Sequence, residues 1–296
     1  MIVQFLQINV YITGFYFIGF NIHLHALYLK FKVQREMGAI NKILYKTLSQ
    51  RNYLKFLNAS FLTLYKTGLL KNNPAYQYHY FAKNLVSPGD TVIDMGANLG
   101  YYSNLFEQWV GTKGRLYAVE PVMPFNEILQ WKLGNKKHVT ILPYALGTQE
   151  KNITLVIPKD LEYLSTGLPN VHDLKTHGNL DDYGFKFTAE MKKGSTIFKS
   201  LPRLDFVKCD IEGYEEYVLP EMKEIFVQHQ PIIQVETWGT HKKVVEDFLY
   251  SIGYQQFHLA SGKLIPTVEG HDPLIVDFIF IHPENKTAVN KTDSLK

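Results

Sequence analysis

Four carboxylates hold matching positions in this chain. Asp94, Glu120, Asp210 and Glu236 each close a short apolar run. A carboxylate there can accept hydrogen bonds from hydroxyl or amino groups, or take up a proton. After Asp94 comes Met95-Gly96-Ala97-Asn98-Leu99-Gly100. A glycine turn between strand and helix lets a ligand approach the backbone closely, and the amides opening the helix bind polar groups. Asn98 stands where the dinucleotide fingerprint carries its middle glycine, which pyrophosphate approach requires. A nucleoside cofactor without phosphates has no such need. Glu120 lies roughly 20 residues beyond the glycines, where an acid can accept both ribose hydroxyls. Alone, the turn reads equally as a structural one, and Glu120 as a solvated strand-end acid. Together they favour a nucleoside ligand.

A second group of residues suits proton transfer. Asp210 and Glu212 stand two apart at a strand end, followed by Gly213, so both could face one site and take a proton from an acceptor. Equally, Glu212 could cap the next helix. Lys208 lies inside the strand, and a buried lysine needs an acidic partner. Glu236 is followed by Trp238 and His241. Asp210, Glu236 and His241 could hold a hard divalent ion, but the spacing is not diagnostic and no metal is assigned. His241 could instead be the base, or an exposed residue at a helix start. His79, His172, His177 and His271 have no motif around them. Tyr101 and Tyr102 read as packing residues, and Cys209 as an inert core residue.

The elements that must position these groups alternate. Strands are expected at Thr91–Asp94, Arg115–Glu120, Val139–Leu146, Phe206–Asp210, Ile232–Glu236, Gln256–Leu259 and Leu274–Phe280. Helices are expected from Gly100 through Val110, over Phe125–Leu133, and over Tyr214–Gln228 with a break before Pro220, which suits a first helical position. In another, Val244, Val245, Phe248, Leu249 and Ile252 share one face, and Gly253 ends it. This alternation predicts an α/β fold with a mostly parallel sheet covered by helices on both faces. Ligands of such sheets bind beyond the carboxyl ends of the strands, near the point where strand order reverses.

The flanks read differently. Residues 37–75 predict a helical extension, with Leu44, Leu48, Leu54, Leu57, Phe61 and Leu64 at near-helical spacing. It is read as a helix pair packing on the main domain of residues 76–283; a helix lying on a membrane is the alternative. Residues 158–202 read as an insertion without long periodicity, functional or partly disordered. Residues 284–296 read as a frayed polar tail. The apolar segment 1–36 has no charged residue before Lys30. It reads as a membrane helix over Ile2–Phe20, as a buried or surface-lying helix, or as sequence upstream of a true start at Met37. The basic residues Lys30, Lys32 and Arg35 after it would leave the remainder cytoplasmic, with membrane contact through residues 2–29 at the inner face.

Composition narrows the classes. With 46% hydrophobic and 20% charged residues the 296-residue chain is ordinary for a folded protein. A net charge of +3 with no basic stripe argues against a nucleic-acid partner. One cysteine excludes an internal disulfide and multi-cysteine zinc sites.

The chain resembles the FkbM family of methyltransferases over Tyr78 to Phe280. The matching stretches are Pro88–Ser103, Tyr117-Ala118-Val119-Glu120-Pro121, Ala145-Leu146-Gly147, and Asp205–Glu215 with its Lys208-Cys209-Asp210-Ile211-Glu212-Gly213 core. The resemblance implies a Rossmann-like class I methyltransferase fold, S-adenosyl-L-methionine as cofactor, and O-methylation of a hydroxyl on a saccharide, glycan or other small-molecule intermediate. Carried over, Asp94, Gly96, Asn98 and Gly100 would line the cofactor's amino-acid end and Glu120 would hold its ribose. Tyr144 and Ala145 would lie near the adenine, and Asp210 beside the reacting methyl. Catalytic roles fall to Asp210, Glu212 and His241. The chain departs from the family at Pro220 and over Lys193–Leu201, which leaves the acceptor pocket open. Two rival classes remain at this level: a nicotinamide-dependent Rossmann oxidoreductase, disfavoured by Asn98, and a non-catalytic binding protein that kept the fold.

Overall fold

The computed structural model describes residues 40–158, 164, 170–171, 180–267, 275–293 and 295. The expectations for residues 1–36, for much of 158–179, and for His172, His177 and His271 lie outside the described residues. Two compact units are present. One contains the chain up to Tyr80 with Glu162–Leu164, and the other contains 81–161 and 165–296.

Within the first unit, residues 40–47 are helical and α1 spans Gln50–Lys66. Ser49 caps α1 by accepting the Asn52 amide at 3.4 Å. Leu54 and Phe61 are buried, as their spacing predicts, together with Tyr53 and Leu62. Tyr65 stacks on Tyr80 with ring centroids 4.3 Å apart.

The second unit carries the sheet that matters for the site. Its strands are β1 (Thr91–Met95), β2 (Arg115–Val119), β3 (Val139–Leu142), β8 (Phe206–Cys209), β9 (Ile232–Glu236), β10 (Gln255–Ala260), β11 (Lys263–Pro266) and β12 (Asp277–Ile281), in the order β11-β10-β12-β9-β8-β1-β2-β3. Neighbours from β3 across to β9 pair in parallel, while β12 is antiparallel to β9, as are β10 to β12 and β11 to β10. Strand order reverses at β1, which has β2 on one side and β8 on the other. The principal helices are α2 (Tyr101–Val110), α3 (Met123–Leu133), α4 (Gly194–Phe198), α5 (Glu215–Glu221), α6 (Lys223–His229), α7 (Gly239–Ser251) and α8 (Lys286–Asp293). Val207, Cys209, Ile233, Val235, Phe278 and Phe280 form a buried core with Val218, Phe226, Val245 and Leu249. The β-branched and aromatic composition of these strands suits a sheet buried on both faces. The fold is therefore the expected Rossmann-like one, a mostly parallel sheet with helices, and helical segments precede it.

Several local expectations need correction. The run 139–146 is two strands rather than one: Pro143 interrupts it, and β4 (Tyr144–Leu146) leaves for a second sheet. That sheet also holds β5 (Lys151–Pro158), β6 (Asn170–Val171) and β7 (Tyr183–Lys192), in the order β4-β7-β5-β6. The expected insertion thus contains β7, which pairs antiparallel along β5, the strand that leads into it. Period-two alternation in Phe185, Phe187, Ala189 and Met191 was its signal. The helix after Gly213 breaks beyond Pro220, at Met222, with Pro220 inside α5. Residues Lys286–Asp293, expected as part of a frayed tail, form a packed helix. Ala288 and Thr292 of α8 are buried, and Lys291 Nζ lies 2.7 Å from Asp90 Oδ2. Arg203 reaches Asp90 Oδ1 at 3.1 Å from the other side. No helix of the described residues is long and apolar enough to cross a membrane.

Candidate active site

The site forms where β1, β2 and β8 end side by side. The chain leaving β1 is held by the last carbonyl of β2: the Gly96 and Ala97 amides donate to Val119 O at 3.1 and 2.9 Å. The Asp210 amide, just past β8, donates to Met95 O at 3.1 Å. These bonds draw the loops after β1 and β8 together. A Cβ added at Gly96 would lie 1.8 Å from the Asp210 carbonyl oxygen, so only glycine fits between them. Gly96, Asn98 and Gly100 all have positive φ, which glycine tolerates and asparagine accepts better than most residues.

Glu120 ties the glycine loop to the end of β2. Its Oε2 accepts the Asn98 amide at 2.7 Å and its Oε1 the Val122 amide at 2.8 Å. The carboxylate is almost wholly buried. Burial pushes its pKa up to about 7, against the two amide bonds that favour the charged form. Asp94 lies behind the loop, fully buried. The Ser103 hydroxyl donates to its Oδ2 at 2.5 Å, and its Oδ1 has no hydrogen-bond partner among the described residues. Burial raises the Asp94 pKa, with Lys208 and Ser103 pulling it back.

A cleft of about 720 Å³, including its open mouth, runs across these loops. Its apolar and aromatic lining includes Val122 and Phe125, with Tyr144, Ala145, Leu155 and Val171 from the second sheet. Its polar lining is Gly96, Asn98, Glu120, Asp210 and Glu212. Tyr144 has the Lys192 ammonium 4.0 Å from its ring centroid, an arrangement that fixes the ring.

Buried charge stands next to Asp210. Lys208 is 4% exposed and its ammonium lies 2.9 Å from Asp210 Oδ2 and 4.9 Å from the Tyr102 ring centroid. Burial by itself would lower the lysine pKa, but Asp210 and Asp94 outweigh it and the ammonium stays charged. Tyr102 accepts a hydrogen bond from Gln234 Nε2 at 2.9 Å. Sheet register sets Asp94 beside Lys208, Lys208 beside Gln234, and Glu236 opposite Asp277. Burial, then Asp210 and Glu236, push Glu212 up to about 8. Burial, then Glu236 and Asp210, push Asp277 up to about 7. Glu236 is raised too, by burial and Asp210.

Most residues singled out from the sequence meet here. Gly96, Asn98, Glu120, Tyr144, Ala145, Asp210 and Glu212 all line the cleft. Asp94 is not among its lining residues. It stands beneath the loop through Ser103, and Gly100 packs against Leu129 and Asn104 at the start of α2. His241 does not line the cleft either. Its Nδ1 lies 2.6 Å from Glu216 Oε1, and its ring stands against Gly213. Asp210, Glu236 and His241 therefore do not converge, and the described residues contain no group of three or more His, Cys, Asp or Glu arranged to hold a metal. Glu212 does not cap the following helix; it has positive φ and lines the cleft. Glu215 does the loop-closing work instead, accepting the Ile211 amide at 2.7 Å from a fully buried position. Sequence reading missed Ser103, Gln234 and Asp277 as neighbours of the site. Each is a polar residue within an apolar stretch, and only that contrast could have flagged it.

A family model described as the methyltransferase FkbM domain matches residues 94–256, more than half of the chain. A comparison with curated proteins finds no match. Among solved structures, methyltransferase FkbM from Methylobacillus flagellatus KT is similar at 14% identity over 84% of this chain and 59% of that one, with a TM-score of 0.42. A SAM-dependent O-methyltransferase from Thermotoga maritima is similar at 14% identity over 70% of this chain and 64% of that one, TM-score 0.37. Aeropyrum pernix fibrillarin, solved with natively bound S-adenosyl-L-methionine, is similar at 10% identity over 67% and 68%, TM-score 0.37. The chain spans less than two thirds of the Methylobacillus and Thermotoga proteins. The chain belongs to the FkbM methyltransferase family.

Proposed function

We propose that this methyltransferase methylates a hydroxyl oxygen of a saccharide, glycan or related small-molecule acceptor. The observation that carries the reading is Glu212, which lines the cleft two residues from the Lys208–Asp210 pair and whose pKa burial and neighbouring acids push up to about 8. A hydroxyl is a weak nucleophile until its proton leaves, and a base with a pKa near the working pH serves that step best. The saccharide class comes from the family resemblance, and the polar lining is compatible with it.

The residues present fit the methyl donor. Gly96 keeps the space that a Cβ would fill, and the partnerless Asp94 Oδ1 leaves an acceptor beneath the loop. When bound, S-adenosyl-L-methionine supplies an electrophilic methyl on a positively charged sulfur. In the reading advanced here Gly96, Asn98 and Asp210 take its amino-acid end, Glu120 its ribose, and the wall of Phe125, Tyr144 and Ala145 its adenine. Asp94 and Gly100 support these residues from behind. Each oxygen of Glu120 already accepts one amide and has one lone pair left for a hydroxyl. Lys208 holds Asp210 in place through their ion pair. Glu212 would take up the proton that the acceptor hydroxyl gives up.

Two measurements test the reading. Calorimetry should find binding of S-adenosylhomocysteine and none of NAD. Transfer of radiolabelled methyl to cell-envelope extracts should place base-stable label in a saccharide fraction. Label confined to protein or nucleic acid would overturn the acceptor assignment.

A further inference from the structure

Two tyrosines follow Glu212 closely in the chain. Tyr214 lines the cleft itself and directly precedes α5. Tyr217, three residues on and so on the same side of the turn, is 47% exposed. The two rings lie 4.8 Å apart between centroids at 45°. An aromatic face carries partial negative charge. The axial C–H bonds of a pyranose carry partial positive charge, so the two surfaces attract while the ring hydroxyls stay free to reach polar groups at the edge. Asp210 and Glu212 offer such acceptors in the same cleft. Among the described residues lining the cleft, none is Lys, Arg or His. A phosphorylated or carboxylated sugar would find no cationic side chain among them and would meet the carboxylates of Asp210 and Glu212.

We propose that Tyr214 and Tyr217 form a stacking platform for a neutral pyranose ring of the acceptor, setting one of its hydroxyls toward Glu212. The proposal rests on the reading that the acceptor is a saccharide, and it adds which residues choose it and which charge class is accepted.

The test uses the full chain loaded with S-adenosylhomocysteine and three probes: methyl glucopyranoside, methyl galactopyranoside and methyl glucuronide. Saturation-transfer NMR should show the two neutral glycosides bound and the glucuronide unbound. Tyr217→Ala should weaken glycoside binding roughly tenfold, and Tyr217→Phe should retain it, because the ring rather than the hydroxyl does the stacking. Affinity for S-adenosylhomocysteine should be the same in all three proteins, which also reports that the variants fold. Unchanged glycoside binding in Tyr217→Ala overturns the platform, as does equal binding of the glucuronide. A wild-type protein that binds none of the probes overturns it too. If a saccharide is nevertheless labelled in the transfer assay, the proposed function stands without the platform. If no saccharide is labelled, both fall.

Discussion

The loop after β1 and the loop after β8 face each other across the cleft and use the same backbone device. Gly96, Asn98 and Gly100 have positive φ in the first, Glu212 and Gly213 in the second. Their electrostatics are opposite. Against the first loop, Glu120 at the end of β2 is already held in place, each of its oxygens accepting one backbone amide. In the second, Glu215 closes the loop with one oxygen while its other oxygen has no partner among the described residues. Glu212 beside it is pushed up to about 8. A loop that grips a cofactor needs donors and acceptors fixed in advance, and satisfied bonds fix them. A loop that handles a proton needs a carboxylate that is not already satisfied, and partial burial among like charges keeps it so.

The sharpest way to break this comparison is at the point where the loops touch. Gly96→Ala places a methyl against the Asp210 carbonyl, a clash no side-chain motion relieves. We expect loss of more than about 4 kcal/mol, seen as failure to fold or as abolished S-adenosylhomocysteine binding in calorimetry. A variant that folds and binds normally would mean the loops are not locked together.

The next largest effect belongs to the second loop. Glu212→Gln should lower methyl transfer by about 10²–10⁴-fold and leave S-adenosylhomocysteine affinity nearly unchanged. In the wild type the rate should rise with pH through about 8, because the base must be ionised to accept the proton. A pH–rate profile that keeps this limb in Glu212→Gln would assign the base elsewhere.

A smaller effect concerns stability without ligand. The folded-state pKa values of Glu120, Glu215 and Asp277 are all raised to about 7. Between about 4.5 and 7 the unfolded chain is ionised at these groups while the folded protein still holds their protons. The folded state then binds more protons, and stability falls as pH rises. The melting temperature of the ligand-free protein should be higher near pH 5.5 than near pH 8. Substituting Glu215→Gln should reduce that difference. A melting temperature that rises across this interval would contradict the raised values.

The smallest effect is expected at His241. It pairs with Glu216 with its side chain 38% exposed, and exposed pairs contribute under about 1 kcal/mol. His241→Ala should therefore change turnover and melting temperature little. A loss comparable to that of Glu212→Gln would return His241 to the catalytic machinery.

Much of this contrast was visible in residue order. Strand-ending acids and the glycine turn are local features, and a strand running into a glycine loop obliges its last carboxylate to sit at the sheet's carboxyl edge. The pairing of β5 with β7 was less legible, because the period-two alternation of Tyr183–Met191 marks a strand but does not say which distant segment it pairs with. The order of the charged residues hid another distinction. Glu212 and Glu215 are equally plausible helix caps from spacing alone, and only the direction of the chain after Asp210 decides which carboxylate turns inward.

The sequence by itself determined the alternating α/β fold, the position of the glycine loop and the family, because these follow from short-range pattern. Tertiary structure decided what the acids do. Whether a carboxylate is satisfied, stranded or raised depends on neighbours far away in sequence. Gly96 meets Asp210 across more than a hundred residues, Gln234 meets Tyr102, and Asp277 meets Glu236. Burial and charge are properties of that assembled neighbourhood, and no local pattern carries them.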